Sequence, residues 1–478
     1  MTVMTGVDLD LLAAKTRDVF GGLAIDKRRL PASQLNKRGI PSFVGEWVLD
    51  SIVPGDGPLT QDEIDKVRAW AARVIPGAND QNLIKSRLLR GETVKILTPI
   101  QVDVLLTRTQ HDLLAKLTLI NISDAHISEE LPQRYPELLR GGMWGITELI
   151  HTPEGVAIAS FKPMQASVNL SLWKEARAEF TLQEWRALMI LSMGYSPAAF
   201  TEEQQDLLLC RLLPLVQKSM HLIELAPKGT GKSYVFENIS PRVRLVSSGN
   251  ISPAVLFVNN ANGLPGILAR YSVVVLDEVQ TLRFEKPEEI ESGLKGFLAN
   301  ARLTRGGLHE LSSDCGLIML ANILLDEQQR PLSYRLMNEL PPFLQETAFL
   351  DRFRGIIPGW EIPKLTADCF ATSVGLKSDF FGDALIGMRE DLAADQLVDQ
   401  KVNLGGGRPY VRNIHSVRAI ASGMIKILFP DGTVSNPDLY RYCIRPAIRL
   451  RQHIWDQLYT DGEYQQFDSV LESDPIPT

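Results

Sequence analysis

One stretch restricts the fold of this chain more than any other: His221-Leu-Ile-Glu-Leu225, then Ala226-Pro227-Lys228-Gly229-Thr230-Gly231-Lys232-Ser233, then a helical pattern from Tyr234. Strand, glycine loop and helix in that order fit the phosphate loop G-x-x-x-x-G-K-[ST], with Ala226 in place of the first glycine. The residue types follow from the chemistry. Gly229 and Gly231 let the backbone turn consecutive N–H groups toward a phosphate, and a helix start adds a favourable dipole. Lys232 is placed to reach the β and γ oxygens of a triphosphate, and Ser233 to ligate Mg2+. Pro227 to Tyr234 form the candidate nucleotide-binding segment, with ATP and Mg2+ as expected cofactors.

Hydrolysis needs an acid at the end of a neighbouring strand, and Ser272-Val-Val-Val-Leu-Asp277-Glu278 supplies one. Asp277 is the metal-side acid; Glu278 is placed to polarise the attacking water as a general base. A third apolar run, Leu317 to Asn322, ends in an amide that can both donate and accept beside a γ-phosphate. From 221 to about 360, short apolar runs alternate with helical segments. That rhythm predicts a parallel sheet covered on both faces by helices.

The flanking sequence predicts two further units. Residues 60 to 90 carry apolar positions at helical spacing, opened by a Thr60/Glu63 capping box. From Glu92 to about Gln165 the pattern alternates, with turns at Gly141-Gly142 and Pro153-Glu154-Gly155, which fits a small barrel or sandwich. Helix returns at 175–220 and again beyond 366. The expected division is an N-terminal α+β unit over 1–170, an ATPase core with its preceding helices over 171–365, and a helical lid with a tail over 366–478.

With 478 residues, 45% of them hydrophobic and 22% charged, the chain can bury two or three cores. It has no secretory leader pattern and no apolar run long enough to span a membrane, so a cytoplasmic location is expected. Cys210, Cys315, Cys369 and Cys443 lack metal or disulfide spacing and read as buried thiols. The net charge of −7 gives no global pull toward nucleic acid. Local basic runs exist at Lys27-Arg28-Arg29, at Lys37-Arg38, and at Lys85, Arg87 and Arg90. A solvated charged face explains each run alone.

Taken together, ELAPKGTGKSYVFENISP, SVVVLDEV, DRFRGIIPGWEIPK and RAIASGMIKILFPDG resemble the BrxL family, the Lon-like AAA+ ATPases of BREX bacteriophage-defence systems. FTLQEWRALMILSMGY, LLRGGMWGITELI and FKPMQ extend the resemblance over nearly the whole chain. It implies an N-terminal DNA-binding part with an OB-like barrel and an AAA+ core with a helical lid. It also implies assembly as a homo-hexamer or stacked double hexamer around double-stranded DNA, with other BREX proteins as further partners and no membrane. In such rings Asn322 would be the sensor and Arg352, in Phe349-Leu-Asp-Arg352-Phe-Arg354, the arginine finger, with Arg354 in reserve. Arg412 would be the lid's phosphate contact, with Arg408 and Arg418 as alternatives. The family often adds a Lon protease domain. Here the residues after Gly432 are too few to form one and contain no lysine, so Lon-type peptidase activity is not expected. Ser171-Leu-Trp-Lys174 matches S-x-x-K without the motifs that accompany it in acyl transfer.

Two readings of the substrate stay open. Ala301-Arg302-Leu-Thr-Arg305-Gly-Gly-Leu-His309 predicts a hairpin carrying Arg302, Arg305 and His309, which in helicase-like rings tracks phosphates in the channel. A protein-remodelling unfoldase would instead grip peptides with an aromatic pore residue, for which Leu256-Phe257 is the candidate.

Overall fold

The computed structural model describes residues 6–77, 79–106, 111–164, 168–260, 263–305, 309–405, 410–460 and 470–476. Its centre is a five-stranded parallel sheet made of β7 (Leu222–Ala226), β8 (Val243–Val246), β9 (Val273–Leu276), β12 (Gly316–Asn322) and β13 (Gly355–Pro358), in the order β13-β7-β12-β9-β8. Side chains alternate along each strand. Val273, Val275, Ile318, Leu320 and Ile357 join one core, and Val274, Leu276, Leu317, Met319 and Ile356 join the other. A sheet buried on both faces requires strands that are apolar at every position, which is how these runs read in the sequence.

The first core receives helices from both flanks of the sheet segment. Trp185, Leu188 and Leu213, from before the phosphate loop, pack with Val417, Ile420 and Leu428 of the helix Val411–Leu428. The last helix, Arg445–Thr460, places Ile454, Trp455 and Leu458 in the second core.

The β-rich stretch forms a closed barrel. Its strands are β2 (Val94–Leu106), β3 (His111–Leu117), β4 (Ile122–His126), β5 (Met143–Thr152) and β6 (Gly155–Pro163), ordered β2-β3-β4-β6-β5, and β4 meets β6 in parallel. Gly142 enters β5 at φ +87°, and a Cβ there would lie 2.6 Å from the Ile100 carbonyl oxygen, so the turn admits only glycine without a shift.

Two features depart from the sequence reading. The 60–90 pattern is two helices, Gln61–Val74 and Gln81–Leu89, because Pro76 and Gly77 interrupt it and Gly77 donates its N–H to Asp80 at 2.8 Å. The Thr60/Glu63 capping box is present at the start of the first. In addition, β1 (Ala24–Asp26) pairs antiparallel with β14 (Val374–Leu376), so residues at the two sides of the sheet segment are stitched together by backbone.

Candidate nucleotide site

The phosphate loop leaves β7 at Ala226, whose Cα partner across the sheet is Asn322. Ala226 fits in place of glycine because Gly359 lies opposite, where a Cβ would come within 2.6 Å of the Ala226 methyl. Gly229 and Gly231 have φ of +88° and +70°, the left-handed conformations the motif requires. Lys232 and Ser233 open the helix Lys232–Asn238.

The side chains singled out at the carboxyl end of the sheet converge. Lys232 Nζ donates to Asn322 Oδ1 at 2.7 Å, and Ser233 Oγ donates to Asp277 Oδ2 at 2.7 Å. Burial lowers the Lys232 pKa, opposed by the negative field of Glu224, Asp277 and Glu278. Glu278 stands at φ +46°, a left-handed conformation that costs a non-glycine residue about 1 kcal/mol or more and recurs at functional sites. Its N–H is taken by Asp277 Oδ1 at 2.9 Å, and its carbonyl accepts from Thr281 N at 2.7 Å. This sharp turn makes the chain leave β9 abruptly just where the two acids sit.

Four residues that the sequence reading passed over hold the loop in shape. Arg211 and Glu224 form a fully buried ion pair, 2.6 Å from Nη2 to Oε1. Arg211 also donates to the carbonyls of Thr230 at 3.3 Å and Gly231 at 3.4 Å. Tyr195 donates its hydroxyl to the Gly231 carbonyl at 3.0 Å, and the Leu365 N–H donates to Gly229 at 2.8 Å. Glu224 was the visible signal, a carboxylate inside an otherwise apolar strand; nothing local points to its partner. Of the remaining loop residues, the Pro227 carbonyl accepts from Thr230 and Lys228 is exposed, while the Tyr234 ring packs against Tyr195 and Phe370.

The arginines lie elsewhere. β13 runs parallel to β7 with Gly355 beside Leu222 and Pro358 beside Leu225, and Arg354 N donates to the His221 carbonyl. Arg352 therefore precedes the amino end of the sheet, while the phosphate loop leaves its carboxyl end, roughly 13 Å further along at 3.3 Å per residue. Arg352 donates to the Ala348 carbonyl. Its pKa is lowered by burial and then by the charge of Arg412. Arg412 is half-exposed and pairs with Asp351, so both arginines share one end of the fold. Arg354 is partly buried at the same end. Arg418 is engaged with Val402, Asp399 and Asn403, and Arg408 lies outside the described residues.

The polymer-facing candidates divide similarly. β10 (Arg302–Arg305) and β11 (His309–Ser312) form the expected antiparallel hairpin. Arg302 is exposed and pairs with Glu310 at 3.0 Å, whereas the hairpin tip and the side chains of Arg305 and His309 lie outside the described residues. Phe257 is 1% exposed in the second core, against Gly293, and so cannot grip a polymer. The basic run Lys27-Arg28-Arg29 is not a free surface either. Lys27 is buried against Glu46 at 2.7 Å, Arg28 pairs with Asp26, and Arg29 donates to the carbonyls of Val53 and Gly57. Arg87 and Arg90 both pair with Glu92.

Residues 156–470 match the family described as Lon-like protease BrxL-like, ATPase domain, and residues 18–151 match the BREX system Lon protease-like protein BrxL N-terminal family. The chain belongs to the BrxL family. Two curated relatives, each called Lon-like protease BrxL, are from Escherichia coli O9:H4 (strain HS) and Bacillus cereus (strain H3081.97). The first is 28% identical over 97% of this chain, and the second 27% over 90%. This BrxL-family chain spans about two thirds of their length, 66% and 64% respectively. A full-length MCM homolog from Methanopyrus kandleri superposes with a TM-score of 0.43 at 12% identity, covering 89% of this chain and 100% of that one, a likeness too weak to carry a conclusion. The ATPase-domain match and the five-stranded parallel sheet together agree with the AAA+ core expected from the motifs. Nucleotide use follows from the family in general terms. All four cysteines are free and buried, and among the described residues no helix is long and apolar enough to cross a membrane.

Proposed function

We propose that this chain hydrolyses ATP in a ring of identical copies, each nucleotide lying between two protomers, and that the ring acts on double-stranded DNA in BREX-type defence against phage. The observation that carries the reading is the separation of Arg352 and Arg412 from the phosphate loop by the length of the sheet. Arginines of this kind stabilise the charge of the transferring phosphoryl group. At the wrong end of their own sheet, they can do so only for a neighbour's nucleotide.

The chemistry of the donor set fits Mg-ATP. Ser233 and Asp277 would hold Mg2+, which supplies charge neutralisation across the β- and γ-phosphates when bound. That pair suits a cation that takes one or two protein ligands and completes its shell with phosphate and water. Lys232 binds phosphate oxygens, and Asn322, already in contact with Lys232, orients the attacking water. Glu278 removes its proton. The hexamer or stacked double hexamer, and contacts with other BREX proteins, remain expectations from the family.

DNA is supported by two features. The closed five-stranded barrel β2-β3-β4-β6-β5 fits the OB-type reading, a scaffold used for nucleic acids. The β10–β11 hairpin presents an exposed Arg302, and an exposed ion pair such as Arg302–Glu310 is worth little and exchanges readily for phosphate. Burial of Phe257 counts against the protein-unfoldase alternative.

The test is ATP hydrolysis by the wild type and Glu278→Gln, with and without double-stranded DNA. DNA-stimulated turnover that vanishes in the variant is the expected result. Turnover indifferent to DNA would favour a protein substrate, and no turnover at all would sink the ATPase reading.

A further inference from the structure

We infer that Arg451, far along the chain from every nucleotide motif, is the positioning residue that sets both Arg352 and Arg412 for the neighbouring protomer; this rests on the interprotomer reading above. Arg451 is fully buried on the last helix. A buried cation is costly unless its donors are all used, and the acceptors here come from two separate segments. Nη2 donates to Asp351 Oδ1 at 2.5 Å, and Nη1 to the carbonyls of Asp351 at 3.3 Å and Phe353 at 2.7 Å. Nε donates to Asn413 Oδ1 at 2.7 Å. One planar guanidinium thus grips the backbone on both sides of Arg352 and the side chain immediately after Arg412.

The second oxygen of Asp351 accepts from Arg412 itself. Asp351 therefore bridges the buried arginine and the exposed one, and supplies at rest the negative charge that a neighbour's phosphate would bring. Without it, two guanidinium groups that already repel would diverge. The fixed fork of an arginine suits this task, because its donors leave at set angles and transmit position as well as charge.

A side chain that only stabilised its own fold would impair its own nucleotide site. A positioning residue for the partner's site would leave it intact. Arg451→Gln should therefore lower kcat by roughly 100-fold, the scale of an ångström-sized misplacement, while leaving KM for ATP unchanged. Co-expressed mixtures of Arg451→Gln with Glu278→Gln should regain turnover, since the first keeps a working site and the second keeps well-placed arginines. The reference is the mixture of Arg352→Ala with Glu278→Gln. If that reference regains turnover and the Arg451→Gln mixture does not, or if Arg451→Gln changes KM alone, the inference is wrong. If the reference itself stays inactive, the interprotomer reading fails instead. Should Arg451→Gln lose its cooperative unfolding transition, Asp351→Asn, which keeps the shape of the node, takes its place in the same mixture: regained turnover supports the inference, and continued inactivity beside an active reference overturns it.

Discussion

The two ends of the parallel sheet are built differently. At the carboxyl end Lys232 already touches Asn322 and Ser233 touches Asp277, so these groups are assembled within one chain. At the amino end Arg352 and Arg412 are held by Ala348 and Asp351, with their own phosphate loop at the far edge. On the proposed reading the first end is a finished receptor and the second an offering. A site divided this way would couple turnover to assembly, because the arginines of one copy would have to meet the phosphate loop of the next.

Removing the offered charge should have the largest effect and could break the comparison outright. Arg352→Ala should lower kcat by roughly 10³- to 10⁵-fold while ATP binding, measured by fluorescent-nucleotide titration, stays near wild type. Loss of binding instead would place Arg352 at its own site. Glu278→Gln tests the receptor end and should lower kcat by about 10²- to 10⁴-fold with binding retained, as for loss of a general base.

The support beneath the loop comes next. Arg211→Met leaves Glu224 charged, buried and unpartnered, which should cost about 3–5 kcal/mol in denaturant unfolding, and adding Glu224→Leu should restore much of it. Failure of the second change to restore stability would mean that Arg211 matters chiefly through the Thr230 and Gly231 carbonyls.

The smallest effect is a pH dependence at the amino end. Burial pushes the His221 pKa down to about 3 from its ordinary value near 6.5. The folded state keeps His221 neutral while the unfolded chain takes up a proton, so its contribution is full above about pH 6.5 and is lost as pH falls toward about 3. Asp379 and Asp383 act oppositely, since burial raises both to about 6 and their protonation favours the fold as pH drops. The informative quantity is thus a difference. His221→Gln can still accept from Leu317 N, and its urea midpoint should gain on wild type as pH falls below about 6.5; a constant gap would show that His221 does not titrate on unfolding.

The receptor end was legible because its residues sit at fixed offsets from apolar strands. A strand, a glycine loop and a lysine specify their own geometry over a few residues, and two further apolar runs ending in Asp277-Glu278 and Asn322 lie beside it once the sheet forms. A β-rich unit was legible from alternation and turns, which fit a barrel or a sandwich alike; strand pairing closed it into a barrel. The capping box at Thr60 was legible from spacing alone, whereas Pro76-Gly77 divides what periodicity presented as one helical stretch. Charge misled more than hydrophobicity did. Lys27 and Arg29 read as a basic surface, yet they are 7% and 3% exposed and serve as internal donors. Phe257 read as a pore aromatic and is core. Sequence marks a residue as charged or aromatic, but not which way it faces.

By itself, then, the sequence determined the phosphate loop, the acids, the parallel sheet and a β-rich unit, because each is a short-range consequence of backbone periodicity and side-chain chemistry. Only the tertiary structure decided that Arg211 and Glu224 brace the loop, that Arg412 joins Asp351, and that Arg451 ties the two arginine segments together. Those pairings span from 13 residues, for Arg211 and Glu224, to 100, for Arg451 and Asp351, and no local rule selects one buried carboxylate for a guanidinium so far along the chain. The packing of helices on the two faces of the sheet makes that choice, by bringing one donor fork within reach of acceptors that have no water to turn to.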